Sequence, residues 1–170
     1  MACPRVMSQN VSRIGLGHIG PRVRAIAKHA SFSVFVPSLC FKVWRRVAVF
    51  FGGSDLGVKA VRQAISLAER ASVPLTVYTQ GDACVREAYE AKIAEAGRDQ
   101  TFTQPDYRWQ FFEAGSLEEN LYDVPSDSLV VVGVAGSSAV RDLLFGSTLE
   151  LIQKTLPNPL VVVGSEARVF

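Results

Sequence analysis

The chain has 170 residues, a hydrophobic fraction of 48%, a charged fraction of 20% and a formal net charge of +2, which suit a globular protein of one domain with an appendage. The near balance of 18 basic and 16 acidic residues argues against charge-driven binding to nucleic acid or to a membrane surface. No apolar run approaches the roughly 18 residues of a membrane span, and the amino terminus lacks an apolar signal-peptide core, so we expect a cytoplasmic protein.

The cysteines and histidines do not form a recognisable framework. The three cysteines, Cys3, Cys40 and Cys84, lie far apart and include no C-x-x-C pair, so we expect no disulfide. The two histidines, His18 and His29, have no carboxylate or thiol at ligand spacing. We therefore expect no metal site built from protein side chains.

The first predicted elements are a strand, a helix and a second strand. Residues 47–51 form a continuous apolar run, typical of a strand buried on both faces of a sheet. Ser54 or Asp55 can cap the following helix, and Pro74 stops it before a strand at residues 75–79. The segment has the size of a right-handed βαβ unit.

The rest of the chain continues this alternation. The pattern next predicts a helix at 83–97 and a strand near a sheet edge at 108–112. A short helix follows, with a capping box formed by Ser116 and Glu119, and then a strand at 129–132. The last predicted elements are a helix at 147–156, with a capping box formed by Ser147 and Glu150, and a strand at 160–163. The five predicted strands and their helices indicate an α/β fold with a doubly wound, five-stranded parallel sheet.

The amino-terminal region contains an echo of the carboxyl-terminal region. The segment "GPRVRAIAKHASFSVFVPS" from Gly20 matches "GSTLELIQKTLPNPLVVVG" from Gly146 as a helix followed by a strand. The offset is about one domain length, as tandem duplication predicts. Chance similarity between two amphipathic segments is the alternative.

A glycine motif follows the fourth predicted strand. It consists of Gly133, Gly136 and Gly146, with Ser147 and Thr148 directly after the last glycine. Glycines let phosphate oxygens approach backbone N–H groups that a Cβ would hold away, and a helix amino terminus favours an anion. The motif indicates a phosphate-binding site, although a strand end followed by an ordinary helix cap would give the same residues.

These features resemble the universal stress protein family. The resemblance covers residues 46–164 and rests on the G-x2-G-x9-G-[ST] motif and on the opening "VAVFFGGSD", which is similar to the family's first strand and D-G-S turn. It implies a five-stranded parallel sheet that holds ATP or ADP, with or without Mg²⁺, at its carboxyl edge. The residues that it implies as nucleotide-binding are Phe51, Gly52, Thr79, Val132, Gly133, Gly136, Gly146, Ser147 and Thr148.

One position departs from the family pattern. The family's first strand usually ends in an aspartate that contacts the nucleoside, whereas this chain has Gly52 there. The preceding Phe50 and Phe51 are larger than usual, and their rings would narrow an adenine slot or stack on the base. A site that binds nucleotide and a site that does not are therefore the two alternatives.

The resemblance also interprets the amino-terminal region. Residues 1–45 are similar to the last helix and last strand of the family, so we expect a remnant of a first domain with a linker, followed by a stress-protein domain at 46–170. A chain that starts late is the alternative. The strand at 33–37 is expected to pair antiparallel with the edge strand at 160–163, within one chain or across two chains. A helix is expected from Pro21 to His29.

Three functions are compatible with these observations. The first is a stress-response regulatory module that binds an adenine nucleotide and acts through protein partners; the second is a structural or homodimerising domain without ligand. The third is an enzyme, because "FFGGSDLG" resembles the S-G-G-x-D-S loop of ATP pyrophosphatases, with mismatches at Phe51 and Leu56. No catalytic set accompanies the glycines, so at most slow ATP hydrolysis is expected.

Overall fold

The computed structural model describes Ile26, residues 30–38, 43–96 and 107–133, Leu149, residues 151–152 and residues 154–167. Four of the predicted site residues, Gly136, Gly146, Ser147 and Thr148, lie outside this set, as do both members of the predicted capping box of Ser147 and Glu150. Of the helix predicted from Pro21 to His29, only Ile26 is described, and it is helical.

The strands form one six-stranded sheet in the order β1-β6-β5-β2-β3-β4. Their bounds are Val34–Val36 for β1, Arg46–Phe50 for β2, Leu75–Gln80 for β3, Tyr107–Phe112 for β4, Ser128–Gly133 for β5 and Leu160–Val163 for β6. All neighbours from β6 to β4 pair in parallel, and β1 pairs antiparallel with β6. The predicted α/β fold with a doubly wound parallel sheet is confirmed, and β4 is an edge strand as expected.

Helices cover both faces of this sheet. Helix α1 spans Asp55–Ala71. Helix α2 spans Arg86–Ala96 and follows a 3-10 turn at Ala83–Val85. Helix α3 spans Leu117–Asn120 and continues into a 3-10 turn at Leu121–Asp123. Leu149, Leu151, Ile152, Lys154 and Thr155 are also helical. Among the described residues, none belongs to a helix long and apolar enough to cross a membrane.

Local capping explains where α1 begins and ends. Ser54 is its amino-terminal cap, and the Ser54 hydroxyl accepts a hydrogen bond from the N–H of Gly57 at 3.0 Å. At the other end Ser72 adopts a left-handed conformation with φ 53°, which turns the chain before Pro74 and closes the helix. The predicted cap is thus Ser54, and the stop lies at Ser72, just before the predicted breaker.

The short helix α3 has the predicted capping box. The Ser116 hydroxyl accepts from the N–H of Glu119, and a Glu119 carboxylate oxygen accepts from the N–H of Ser116 at 2.8 Å. Two backbone donors that the first helical turn leaves free are therefore satisfied by side chains. The same Glu119 carboxylate oxygen also accepts from the Ser116 hydroxyl at 2.9 Å, and the hydrogen bonds that it accepts from the Ser116 N–H and hydroxyl hold the pKa of Glu119 below its ordinary value.

Two apolar layers form the core because successive strand residues point to opposite faces. Val47, Val49 and Val131 face α1 and α2 and are 0% exposed. Ala48 and Val130 face the opposite side, where they belong to the cluster that contains Leu149 and Ile152. Continuous apolar strands are what a parallel sheet covered on both faces requires.

The amino-terminal strand is packed into this sheet. Val34 pairs with Val162 and Val36 with Leu160, and both β1 valines are 0% exposed. The N–H of Glu166 donates to the Ser31 carbonyl at 2.7 Å and tethers the chain just before β1. The predicted antiparallel pairing with the last strand is therefore confirmed within one chain. The proposed division at residue 45 stays a prediction.

Candidate functional site

The strand order reverses between β2 and β5. This reversal creates a topological switch point, called the switch below, at the carboxyl edge of the sheet. These strands are parallel neighbours, with Phe50 beside Val132. From β2 the chain continues towards β3 and β4 on one side, whereas from β5 it continues to β6 on the other. Ligands of open α/β sheets bind beyond the strand ends at such a switch. Gly52 follows the end of β2 and Gly133 ends β5, so the fold brings these two predicted site residues to the switch.

Gly52 borders open space. Among the described residues, a Cβ built on Gly52 meets no heavy atom within 4 Å, and the Gly52 backbone is outside the left-handed region, which Gly53 occupies instead with φ 78°. Within the part of the chain that the structure describes, no steric or conformational requirement excludes a side chain at position 52. The space beside it is available to a ligand or to a longer residue.

Gly133 has the opposite environment. A Cβ built there would lie 2.3 Å from the carbonyl oxygen of Leu56 and 3.0 Å from the nitrogen of Gly57. The first turn of α1 thus crosses the end of β5 too closely for any side chain. This contact accounts for glycine at position 133 whether or not a ligand binds.

The ring of Phe51 does not line the switch. The residue is 2% exposed, and its ring makes edge contacts with Tyr89 and Trp109 at centroid distances of 5.0 and 6.0 Å. Both partners belong to the layer that contains α1 and α2. Packing beneath the helices thus buries this ring, and contact between the Phe51 ring and an adenine base stays an untested prediction. Only the backbone of Phe51 remains at the edge.

Thr79 holds the end of β2 in place. Its hydroxyl donates to the Phe51 carbonyl at 2.9 Å and accepts from the indole N–H of Trp109, also at 2.9 Å. The residue is 1% exposed. Two buried polar groups on other elements are satisfied through this one hydroxyl. We infer a positioning role for Thr79 rather than contact with a nucleotide.

The opposite face of the switch is aromatic. Phe50 is half-buried and lies 5.6 Å from Tyr78 between ring centroids, and Tyr78 stacks on Phe112 at 5.4 Å. Val132 belongs to the same layer. Burial raises the pKa of Tyr78, so the phenol stays neutral at physiological pH. Phe50, rather than Phe51, is the ring that faces this side of the strand end.

Lys92 lies beside the switch and was not predicted from the sequence. Its ammonium donates to the Gly53 carbonyl at 2.6 Å and pairs with the Asp55 carboxylate at 2.9 Å. The contacts bring a positive charge to the turn that follows β2. No sequence signal identifies it, because Lys92 lies in a charged helix far from the glycine motif and α2 approaches the turn only in the folded chain.

The described residues contain no group of three histidine, cysteine, aspartate or glutamate side chains that could hold a metal ion. Of the predicted nucleotide-binding residues, the structure brings Gly52, Val132 and Gly133 to the switch and places Thr79 on the adjacent strand. An Mg²⁺ ion at this edge would therefore depend on nucleotide phosphates and on residues outside the described part of the chain.

No protein-family model matches the chain, and no curated protein matches it by sequence. Solved structures do match it. A universal stress protein crystallised in complex with cAMP aligns at 21% identity and a TM-score of 0.51, over 73% of this chain and 99% of that chain. A universal stress protein from Archaeoglobus fulgidus aligns at 17% identity and a TM-score of 0.56, over 83% of this chain and 52% of that chain. A functionally unknown protein from Pseudomonas aeruginosa aligns at 12% identity and a TM-score of 0.65, over 97% of this chain and 62% of that chain.

These structural matches agree with the α/β fold described above. The class is a doubly wound α/β protein with a candidate ligand edge between β2 and β5. Within that class, the fold is that of universal stress proteins. The chain spans about half to two thirds of the length of the second and third of these structures.

Proposed function

We propose that the protein is a small cytoplasmic stress-response module that binds an adenine nucleotide, ATP or ADP, at the switch between β2 and β5. The observation that carries the proposal is the position of the glycine motif: its first glycine ends β5 at the switch, next to the open space at Gly52. The stress-protein fold supports it, as does the structural neighbour in complex with cAMP.

The proposed site works mainly through backbone groups. The base and ribose would lie against the ends of β2 and β5, beside Gly52 and Val132. Gly136, Gly146, Ser147 and Thr148 would supply N–H and hydroxyl donors to the phosphates, as a glycine loop at a helix amino terminus does. Mg²⁺ would enter with the phosphates. Without a carboxylate at position 52, the site lacks one strong hydrogen bond to the nucleoside.

Regulation through a protein partner suits this site better than rapid turnover. The Ser54 hydroxyl caps α1, and the Asp55 carboxylate pairs with Lys92. Ser54 and Asp55, the serine and aspartate of the loop that resembles that of ATP pyrophosphatases, therefore both make structural contacts. The nucleotide state would then be read by another protein, with at most slow hydrolysis.

A module without ligand is the second candidate. The contact between Gly133 and Leu56 favours it, because it explains one motif glycine by packing alone. In this alternative the sheet would serve association with other chains.

Calorimetry separates the two candidates. ATP, ADP and cAMP are titrated into the full chain and into two variants, Gly136→Val and Gly146→Asp, which should obstruct or repel the phosphates. Tyr122→Asp is the control: Tyr122 is 74% exposed and lies in the 3-10 turn after α3, and it is not one of the predicted nucleotide-binding residues. We expect binding that both motif variants weaken at least about tenfold and that the control leaves unchanged.

The contrary result is equally clear. A dissociation constant weaker than about 1 mM corresponds to only about 4 kcal/mol of binding free energy. Such a value for every nucleotide tested would remove the nucleotide site and leave the module without ligand.

A further inference from the structure

The strand β1 ends the sheet. Within the part of the chain that the structure describes, β6 is the strand that pairs with β1, and no strand pairs with its outer side. An edge strand presents a row of backbone N–H and C=O groups to any extended segment that can align with it. The outer side of β1 is therefore a candidate surface for strand addition.

The two edge strands of the sheet differ in charge. The segment around β1, "SFSVFVPS" at residues 31–38, contains no charged side chain. The opposite edge strand β4 contains Arg108, which is exposed. Charged residues on an edge oppose pairing with another chain. The contrast indicates that pairing is blocked at β4 and permitted at β1.

Exposed aromatic side chains accompany the uncharged edge. Phe35 is 37% exposed and Phe32 is 47% exposed. Both line an apolar cleft of about 740 Å³ together with Trp44 and Val161. Phe35 pairs with Val161 across the β1–β6 ladder, so its ring stands on the same face of the sheet. An apolar surface of this kind beside an open strand edge is typical of an association site.

The sequence of β1 is symmetric. Val34, Phe35 and Val36 read the same in both directions, so a two-fold axis through Phe35 would place Phe35 opposite its own copy and Val34 opposite Val36. A two-fold dimer requires one surface that is complementary to itself. Antiparallel pairing of two β1 strands meets that requirement, with the valines continuing one core layer and the two phenylalanines in contact on the other face.

We propose that β1 is a dimerisation edge and that its occupant is β1 of a second copy of the chain, paired antiparallel about Phe35. This differs from a dimer through the last strand, because β1 already covers the outer edge of β6. The proposal is independent of nucleotide binding.

The size of the contact sets the expected affinity. Each buried phenylalanine contributes about 150–250 Å², and a three-residue strand adds few hydrogen bonds. The interface would be smaller than the roughly 1,600 Å² of a standard stable complex. We therefore expect a dimer with a micromolar dissociation constant, populated only at higher protein concentration.

Sedimentation velocity tests the affinity. The full chain is measured from about 1 µM to about 200 µM, and we expect the dimer fraction to rise across this range. Phe35→Lys, and the milder Phe35→Thr, should weaken dimerisation at least about tenfold. Tyr122→Lys, at an exposed aromatic residue elsewhere, should not. Circular dichroism confirms that each variant is folded.

Cross-linking tests the register. In a chain with Cys3, Cys40 and Cys84 replaced by serine, Phe35→Cys should form a disulfide-linked dimer on mild oxidation, because paired residues of antiparallel strands bring their Cβ atoms close enough. Val161→Cys, one strand further from the axis, is the matched control and should remain unlinked. A monomer at every concentration, a dimer indifferent to both Phe35 variants, or equal cross-linking at 35 and 161 would overturn the proposal.

Discussion

Gly133 and Leu56 are in direct backbone contact: a Cβ at position 133 would lie 2.3 Å from the Leu56 carbonyl oxygen. Gly133→Ala should therefore displace α1 from the end of β5 and lower the free energy of unfolding by about 1–3 kcal/mol. Gly52→Ala is the matched control, because a Cβ at Gly52 meets no atom of the described residues within 4 Å. Urea unfolding of both variants measures the difference. Equal unfolding midpoints would show that α1 can move away from position 133 without any loss of stability.

Gly52→Asp should tighten ATP binding if the switch is a nucleotide site. The new carboxylate would add a charged hydrogen bond to the nucleoside, worth about 1.5–3 kcal/mol, or about one to two decades of affinity. The backbone at Gly52 is outside the left-handed region, so the substitution introduces no backbone strain. Calorimetry with Gly52→Asn as a neutral control is the measurement. Unchanged or weaker binding by Gly52→Asp would mean that no nucleoside lies beside this position.

Thr79→Val should reduce stability and leave any nucleotide affinity unchanged. The substitution keeps the shape but leaves the Phe51 carbonyl and the Trp109 indole N–H without their partner, which costs about 1–3 kcal/mol for each buried group left unsatisfied. A double-mutant cycle with Trp109→Phe separates the two hydrogen bonds. If ATP affinity falls while unfolding is unaffected, Thr79 contacts the ligand and its positioning role is wrong.

The capping box of α3 should make stability depend on acid pH. The Glu119 pKa is lowered by its hydrogen bonds to the Ser116 backbone N–H and hydroxyl, so its stabilising effect is fully present above the pKa of the unfolded chain. It is lost as pH falls through the lower folded pKa. Glu119→Gln should thus be less stable than wild type near neutral pH, with the gap closing at acid pH. Urea unfolding between about pH 3 and pH 7 measures it, and a gap independent of pH would contradict it.

Deleting residues 1–40 should expose β6. The deletion removes Val34 and Val36 from the core and leaves the outer edge of β6, with its sequence LVVV, unpaired. We expect dimerisation through β6, or precipitation, together with a lower melting temperature. Sedimentation and thermal unfolding are the measurements. A truncated chain that is monomeric, soluble and as stable as the full chain would show that β1 contributes nothing to the fold.

Patterns within short segments were sufficient to predict most of the fold. Continuous apolar runs separated by capping residues identified the strands and helices, since a sheet covered on both faces needs such strands. The echo between the segments from Gly20 and Gly146, together with the resemblance to universal stress proteins, predicted that β1 would pair with β6, and the pairing of Val34 with Val162 confirms it. The individual strands and helices are readable because each is encoded by neighbouring residues.

The candidate site was less predictable because its contacts join distant residues. The glycine spacing indicated that something approaches Gly133 closely, but not that the approaching group is the Leu56 backbone. The burial of Phe51 depends on Tyr89 of α2 and Trp109 of β4, two elements that follow only after α1 and β3. No local pattern distinguishes a phenylalanine that faces a ligand from one that packs beneath a helix.

The pairing of β1 with β6 also imposes an order on folding. Of the strands in the described residues, β1 is synthesised first and β6 last, so β1 has no partner in the sheet until β6 has emerged from the ribosome. During that interval an uncharged, apolar strand remains unpaired, which is when a nascent chain associates with others. Closing so long a loop is slow. Docking of β1 is therefore expected to be a late step in maturation, and a ribosome-bound chaperone that shields residues 31–38 would raise the yield of folded protein.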